Sequence, residues 1–145
     1  MARTPRCELP DGYFHVPSRG NRGARVFVED VDRFEFLHLL SSVAESFRWR
    51  VHAHCLMGTH YHLVVETTRE RLSDGMRKLN GVYARRFNRR HGFRGHLFEE
   101  RFSSWLVRDE EHFAATILYV LDNPVRAGLC ARPSDWRWAA AAYRT

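Results

Sequence analysis

The order of strands and helices along the chain constrains its fold more than any other sequence feature. Four strands are predicted, at residues 12–18, 49–57, 60–66 and within 98–107. Apolar residues that recur at three- and four-residue steps predict three helices, at residues 31–48, 72–91 and 110–123. This order is an α+β, ferredoxin-like βαββαβ arrangement with one helix added. A mainly antiparallel sheet with helices on one face would leave its other face open for a ligand, as in RRM-like nucleic-acid-binding domains.

Local signals mark the ends of these elements. Asp30 is the predicted N-cap of the first helix. The apolar stripe of that helix is predicted to contain Phe34, Leu37, Leu40, Ala44 and Phe47. Pro124 is expected to end the third helix, because a proline removes a backbone donor and clashes with the preceding turn. Trp136 and Trp138 lie in the tail that follows, and we expect this tail to pack back on the body of the domain.

Length and composition indicate one globular domain with a basic character. The chain has 145 residues, of which 44% are hydrophobic and 28% charged, and we expect a single domain over residues 1–145. Its formal charge of +6 and its sequence pI of about 9.8 favour a polyanionic partner. Lys78 is the only lysine, so almost all of the positive charge is carried by arginine. Arginine pairs with phosphate oxygens and also stacks on bases.

Cysteine spacing and the lack of a long apolar run favour a cytoplasmic protein. Cys7, Cys55 and Cys130 are far apart, odd in number and without the spacing of a zinc finger. No signal peptide is predicted behind the first arginines. The longest apolar run, at residues 114–121 and interrupted only by Thr116, is too short to span a membrane. We therefore expect no membrane partner.

Two His-x-His pairs are candidates for binding a metal ion. Residues two apart on a strand point to the same face, so His60 and His62 can both approach one divalent ion. His52 and His54 have the same spacing on the preceding predicted strand. The spacing alone therefore does not distinguish a metal site from a pair of ordinary surface histidines.

Tyr119 and Asn123 lie one helical turn apart on the third predicted helix, and hence on one face. The packing side of this helix is predicted to contain Phe113, Ile117, Val120 and Leu121. Its polar side is predicted to contain His112, Thr116, Tyr119 and Asn123. A tyrosine on the polar side is either a nucleophile or an ordinary surface residue. Tyr83 is a rival nucleophile, but it lies on the apolar stripe of the second helix, which favours packing.

A basic region surrounds the second predicted helix. Clusters of this kind bind backbone phosphates, although most charged helix faces are only solvated. Few acidic residues lie between residues 77 and 95, so we expect little pairing within the region. The candidate DNA-binding residues are Arg19, Arg22, Arg77, Lys78, Arg85, Arg86, Arg89, Arg90, Arg94 and Arg101.

Four stretches of the sequence resemble the HUH single-tyrosine transposases, and among these the REP-associated tyrosine transposases. Residues 13–27 are similar to the family's opening strand and turn, and residues 54–66 (HCLMGTHYHLVVE) to its metal-binding strand. Residues 87–102 are similar to its central basic segment, and residues 119–129 (YVLDNPVRAGL) to its nucleophile helix. The chain departs from the family at Gly58-Thr59, where Pro-Asn is usual, and at Tyr61, where a smaller apolar residue is usual.

The resemblance implies a site and a reaction. It selects His60 and His62 over His52 and His54 as metal ligands, adds Asn123 as the third, and selects Tyr119 as the nucleophile. The implied ion is Mg²⁺ or Mn²⁺, whereas histidine ligation alone would equally admit zinc or nickel. The implied activity is cleavage and rejoining of single-stranded DNA beside a hairpin through a 5′-phosphotyrosine, by a monomer rather than a homodimer.

Other functions are compatible with the same residues. An RRM-like module would bind single-stranded nucleic acid without cutting it, with Tyr13 and Tyr61 as stacking aromatics on the open sheet face. A metal-dependent hydrolase would use water in place of Tyr119. A degenerate transposon relic is disfavoured, because the predicted ligands and the tyrosine are all present.

Overall fold

Five antiparallel strands form one sheet with the order β4-β1-β3-β2-β5. This architecture comes from a computed structural model that describes residues 12–142, so Cys7 and Tyr143 lie outside the described residues. The strands are β1 Gly12–Arg19, β2 Arg50–Leu56, β3 His60–Thr67, β4 Trp105–Val107 and β5 Ala139–Ala141. The first four follow the predicted ferredoxin-like order, which confirms the fold class. β4 is much shorter than the predicted segment at residues 98–107.

Helices cover both faces of this sheet. The helices are α1 Asp30–Ser46, α2 Arg69–His91, α3 Glu110–Leu121 and α4 Asn123–Arg126. The main core joins α1 and α2 to one face, with Leu63 and Val65 of β3 buried beneath them. A smaller core joins α3 to the other face through Val64 and Val120. α3 therefore covers part of the face that the sequence predicted to be open. The candidate site lies on the same face, at the edge of α3.

Capping groups determine where the long helices begin and end. Glu29, not Asp30, is the N-cap of α1, and it forms a capping box with Asp32. The hydroxyl of Thr68 accepts a hydrogen bond from the backbone of Arg71 at the start of α2. Gly92 ends α2 with a φ of 69°, a left-handed conformation that glycine adopts without strain.

The apolar stripe of α1 differs in part from the predicted one. Phe34 is 53% exposed and packs edge-on against Trp138 instead of entering the core. The residues of α1 that are buried in the main core are Phe36, Leu39, Leu40 and Val43. The predicted and observed stripes are adjacent on the helix, and the sequence pattern did not indicate which of them the sheet would cover.

The C-terminal tail packs back on the domain, as predicted, and also adds a strand. Trp138 is buried in the main core, and the indole Nε1 of Trp136 donates a 3.0 Å hydrogen bond to the carbonyl of Leu56. β5 pairs with β2 at the edge of the sheet. The strand consists of three alanines, a composition without strand preference, so only the tertiary context makes it extended.

Candidate active site

Strand β3 presents His60 and His62 on the face that α3 partly covers. Their rings are 5.1 Å apart between centroids. Alternation along the strand sends Tyr61 into the opposite core, where it is fully buried. The register of β1 against β3 sets Arg19 directly opposite His60, on the same face as the two histidines. The predicted metal pair therefore exists as a geometric pair, with a guanidinium beside it.

Each ring of this pair has its Nδ1 atom in a hydrogen bond. Nδ1 of His60 is 3.1 Å from the hydroxyl oxygen of Thr59. Nδ1 of His62 is 3.0 Å from Nε2 of His15, a residue of β1 whose ring lies edge to edge with that of His62. These contacts leave the Nε2 atom of both His60 and His62 as the candidate ligand atom. The sequence did not indicate His15, because the register of β1 against β3 was not readable from it, and Thr59 appeared there only as a departure from the family pattern.

The electrostatic environment keeps these histidines neutral. Burial, together with the neighbouring His15, His60, Arg19 and Arg126, lowers the pKa of His62 to about 3. Burial, with His112 nearby, lowers the pKa of His15 to about 4. Burial and Arg19 also lower the pKa of His60, against the opposing effect of a hydrogen bond with Asn123. Neutral imidazole is the form that binds divalent metals.

The second His-x-His pair has a different geometry. β2 carries a β-bulge between Val51 and Ala53, which shifts the register against β3. His54 pairs with Leu63, on the face of the main core, whereas His52 bonds to Glu66 at 2.9 Å and packs against Phe113 of α3. His52 and His54 therefore point to opposite faces. The expectation that both pairs share one geometry was wrong, because the bulge breaks the two-residue alternation.

Tyr119 lies on α3 close to the histidines. Its ring centroid is 5.9 Å from that of His15 and 6.3 Å from that of His62, and the residue is 52% exposed. The rival nucleophile Tyr83 is fully buried, with its hydroxyl donating to the carbonyl of Val26, as expected for a packing residue. Thr116, predicted to be on the polar side, is buried because that side of α3 turns toward the sheet.

Asn123 begins a separate helix. α3 ends at Leu121, and Pro124 lies in the first turn of α4, where its missing donor is not needed. The expectation that one helix reaches residue 123 and stops at Pro124 was therefore wrong. The chain continues in helical conformation through Asp122, which keeps Asn123 beside His60.

The donors at this place fit a divalent metal ion. Within residues 12–142, no group of three or more His, Cys, Asp or Glu is placed to hold a metal. The amide of Asn123 is the third candidate ligand beside the two imidazoles. Its hydrogen bond raises the pKa of His60, so its carbonyl oxygen accepts from that ring and already faces it. Its Nδ2 atom is buried without a hydrogen-bond partner among the described residues. Two imidazoles and one amide oxygen form a suitable set for a divalent ion that keeps further positions open.

The structure divides the predicted basic region into separate parts. Arg77, Arg85 and Arg101 line a groove of about 630 Å³ between α2 and residues 95–102, together with Glu99 and Glu100. A hydrogen bond from the backbone N–H of Glu99 to the carbonyl of Arg19 ties residues 95–102 to the end of β1. The other exposed cations of the region that were predicted to bind DNA are Arg22, Lys78, Arg86, Arg89 and Arg94.

One member of that region has acidic partners on α1. Arg90 donates to Asp32 at 2.8 Å and to Glu35 at 3.2 Å, so it is already engaged within the protein. The expectation of little pairing was wrong for Arg90, because the acidic partners come from another helix. Lys78 and Arg86 line a different cavity, beside the C-terminal turn of α1.

The aromatic residues that an RRM-like binding surface requires are not on one face. Tyr61 is buried in the main core, where its hydroxyl donates to Asn80 at 2.6 Å. Tyr13 lies on the opposite face and packs against His52 and Phe113. Stacking of bases on this pair of tyrosines is excluded by their positions.

Comparison with protein families identifies the chain. The sequence model described as "Transposase IS200 like" matches residues 10–123, which is most of the chain. The chain belongs to the IS200-like transposase family. It is thus a member of an enzyme family that acts on DNA, and the resemblance found in the sequence is confirmed. Comparison with curated proteins gives no match.

Solved structures share the fold. A REP-associated tyrosine transposase bound to a REP hairpin superposes with a TM-score of 0.75 at 18% identity, covering 96% of this chain and 82% of that one. A protein from Deinococcus radiodurans R1 described as a transposase has a TM-score of 0.55 at 19% identity, covering 84% of this chain and 97% of that one. At these identities the similarity concerns the fold. Within residues 12–142, no helix combines the length and apolar character required to cross a bilayer.

Proposed function

We propose that this IS200-like transposase cleaves and rejoins single-stranded DNA beside a hairpin, with Tyr119 as the nucleophile. The observation that carries the proposal is the placement of the Tyr119 ring 6.3 Å from that of His62, on a half-exposed surface next to Asn123. A tyrosine buried for packing would not be 52% exposed. A tyrosine on an ordinary surface would not lie against two neutral histidines, the buried His62 and the partly buried His15.

The proposed reaction conserves the energy of the bond that it breaks. The hydroxyl oxygen of Tyr119 attacks the scissile phosphorus and loses its proton to solvent, and the bond from phosphorus to the 3′ oxygen breaks. The products are a 5′-phosphotyrosine and a free 3′-hydroxyl. A second 3′-hydroxyl then attacks the phosphotyrosine, releases Tyr119 and joins two new ends without ATP.

His60, His62 and Asn123 would hold the divalent ion. When bound, Mg²⁺ or Mn²⁺ would polarise the scissile phosphate and offset the charge that develops on its oxygens. Thr59 and His15 orient the two rings from their far sides. Arg19, opposite His60 in the strand register, is in position to bind a phosphate next to the site.

The DNA would extend from this site along the basic groove of Arg77, Arg85 and Arg101. The REP hairpin bound by the structural relative supports a hairpin as the substrate class. We propose that one copy of the chain, as a single domain, completes the site, because Tyr119, His60, His62 and Asn123 come together within one chain. The location that we expect is the cytoplasm, at the nucleoid.

The test is the formation of a covalent adduct. End-labelled single-stranded hairpin oligonucleotides from the DNA flanking the gene are incubated with protein and Mn²⁺, and the products are separated on a denaturing protein gel. Wild type should give a labelled band of protein size that both Tyr119→Phe and His60→Ala lose. Tyr13→Phe is the matched control, because Tyr13 lies on the same face of the sheet but packs against Phe113.

The other possible outcomes favour different functions. Cleavage that persists in Tyr119→Phe without an adduct would replace the tyrosine mechanism with hydrolysis by water. Tight binding without cleavage in any variant, with the correct hairpin present, would favour a module that only binds DNA.

A further inference from the structure

We propose that His15 is a positioning residue that fixes the tautomer and the orientation of His62 as a metal ligand. This inference rests on the proposed function, because it assumes that His60 and His62 bind a divalent ion. It adds a residue of a different strand, β1, that was not among the predicted site residues. The observation that carries it is the 3.0 Å contact between Nε2 of His15 and Nδ1 of His62.

The contact by itself allows either ring to donate, and metal binding selects between the two directions. A neutral imidazole has one N–H and one lone pair, so a metal ligand that binds through Nε2 must carry its hydrogen on Nδ1. In the metal-binding form, Nδ1 of His62 donates and Nε2 of His15 accepts. If His15 donated instead, His62 would carry its hydrogen on Nε2 and could not bind a metal there. The orientation of this one hydrogen bond decides whether His62 is competent as a ligand.

The surroundings of His15 hold it in place for this role. Its ring lies edge to edge with that of His62 and nearly parallel to it, with a centroid distance of 5.2 Å and an interplanar angle of 20°. The ring of Tyr119 meets it edge-on at 5.9 Å. His15 thus contacts both a predicted ligand and the predicted nucleophile. Its backbone pairs with Val64 of β3 and with Trp105 of β4, so the ring projects from an interior strand of the sheet.

The hydrogen bond of His15 differs from that of His52, a buried histidine on the same face. His52 contacts Glu66 at 2.9 Å, a carboxylate that can only accept when it is ionised. His15 instead contacts the neutral ring of His62, a predicted ligand. When Nε2 of His15 accepts, His62 carries its hydrogen on Nδ1 and its Nε2 atom can bind the metal. His52→Gln is therefore a matched control, since it changes a buried histidine on the same face without altering the bond to His62.

Two variants separate the acceptor from the shape of the side chain. His15→Phe keeps a flat ring but removes the acceptor, whereas His15→Gln places an amide oxygen near the position of Nε2. Mn²⁺ binding is measured by titration calorimetry on the full chain, with His60→Ala as the variant that should lose the site. The ring ¹⁵N signals of His62 in the metal-free protein report its tautomer directly. His15→Leu serves as a second apolar variant if His15→Phe does not fold.

His15→Phe should weaken Mn²⁺ binding about 10- to 100-fold, the usual effect of removing an outer partner of a metal-binding histidine. His15→Gln and His52→Gln should bind nearly as wild type does. The Nδ1–H form of His62 should dominate in wild type and in His15→Gln, and lose its dominance in His15→Phe.

Failure of the inference and failure of the proposed function give different results. If His60→Ala abolishes Mn²⁺ binding but His15→Phe leaves both the affinity and the His62 tautomer unchanged, the role of His15 is overturned and the metal site stands. If wild type does not bind Mn²⁺, or if His60→Ala binds it equally well, the proposed metal site is itself wrong and the role of His15 falls with it.

Discussion

Arg126 contacts Tyr119 on two sides. Its guanidinium carbon lies 4.1 Å from the centre of the Tyr119 ring, and its Nη2 donates a 3.0 Å hydrogen bond to the carbonyl of the same residue. Nη1 donates to Asp122 at 3.2 Å, which holds the guanidinium in place. A residue of α4 therefore fixes the ring of the predicted nucleophile on α3. Arg126 is not among the site residues predicted from the sequence, because this contact depends on the turn between the two helices.

We predict that Arg126→Ala slows formation of the DNA adduct by about 10- to 100-fold, because a small displacement of a nucleophile is enough to cause a loss of this size. Arg126→Lys should recover only part of the rate, since lysine lacks the planar group that stacks on the ring. Single-turnover adduct formation at saturating DNA measures the effect. Arg132→Ala is the control, because Arg132 pairs with Asp135 instead. An unchanged rate in Arg126→Ala would show that Tyr119 does not need this support.

We predict that the groove arginines bind the phosphates of single-stranded DNA. Arg77→Ala and Arg85→Ala should each weaken binding and reduce the slope of log affinity against log salt concentration by about 0.7. Fluorescence anisotropy with a labelled single-stranded oligonucleotide over a salt series provides the measurement. Arg86→Ala is the control on the same helix, since Arg86 faces the C-terminal turn of α1. Equal slopes for Arg85→Ala and Arg86→Ala would place the DNA elsewhere.

We predict opposite effects on stability for two glycines of α2. A Cβ atom at Gly75 would lie 2.7 Å from Cε2 of Trp49, so Gly75→Ala should lower the free energy of unfolding by about 1–3 kcal/mol. A Cβ at Gly81 would meet only the end of the Arg85 side chain, at 3.6 Å, so Gly81→Ala should raise it by about 0.5–1 kcal/mol. Urea unfolding compares both with wild type. Stabilisation by both substitutions would mean that Trp49 can move aside.

We predict that Asp32 stabilises the fold above acidic pH. Burial alone would raise the pKa of its carboxyl, but hydrogen bonds from the backbone of Glu29 and Val28 and from His91 and Arg90 lower it overall. Because the folded pKa lies below the ordinary value of about 3.9, the contribution is complete above that value. It is lost as the pH falls through the folded pKa.

Asp32→Asn should therefore cost about 3 kcal/mol in the free energy of unfolding at pH 7, since it removes the charge from a buried pair. The difference from wild type should shrink as the pH falls below about 4. Asp30→Asn is the control, because Asp30 is exposed and its pairs with Arg33 and Arg137 are 3.8 Å and 3.5 Å long. If the loss of unfolding free energy in Asp32→Asn were the same at pH 7 and at pH 3, the charge of Asp32 would not be its cause.

Much of the fold was predictable because the patterns that define it are local. The alternation around His60 and His62, the stripe of α2 and the glycine at its C-terminus each depend on neighbours within a few residues. The errors lie where a distant segment intervened. The bulge at His52, the packing of Phe34 against Trp138 and the strand of three alanines all depend on contacts with parts of the chain far away in sequence.

By itself the sequence determined the order of the first four strands and the three long helices. Through its resemblance to a known family it also indicated the candidate set of His60, His62, Tyr119 and Asn123. Tertiary structure alone decided which histidine pair shares a face, and it brought His15 to His62 and Arg126 to Tyr119. The physical reason is that side-chain direction within one strand or helix follows from its own periodicity. Contacts between elements follow from strand register and helix placement, which are set by burial across the whole domain.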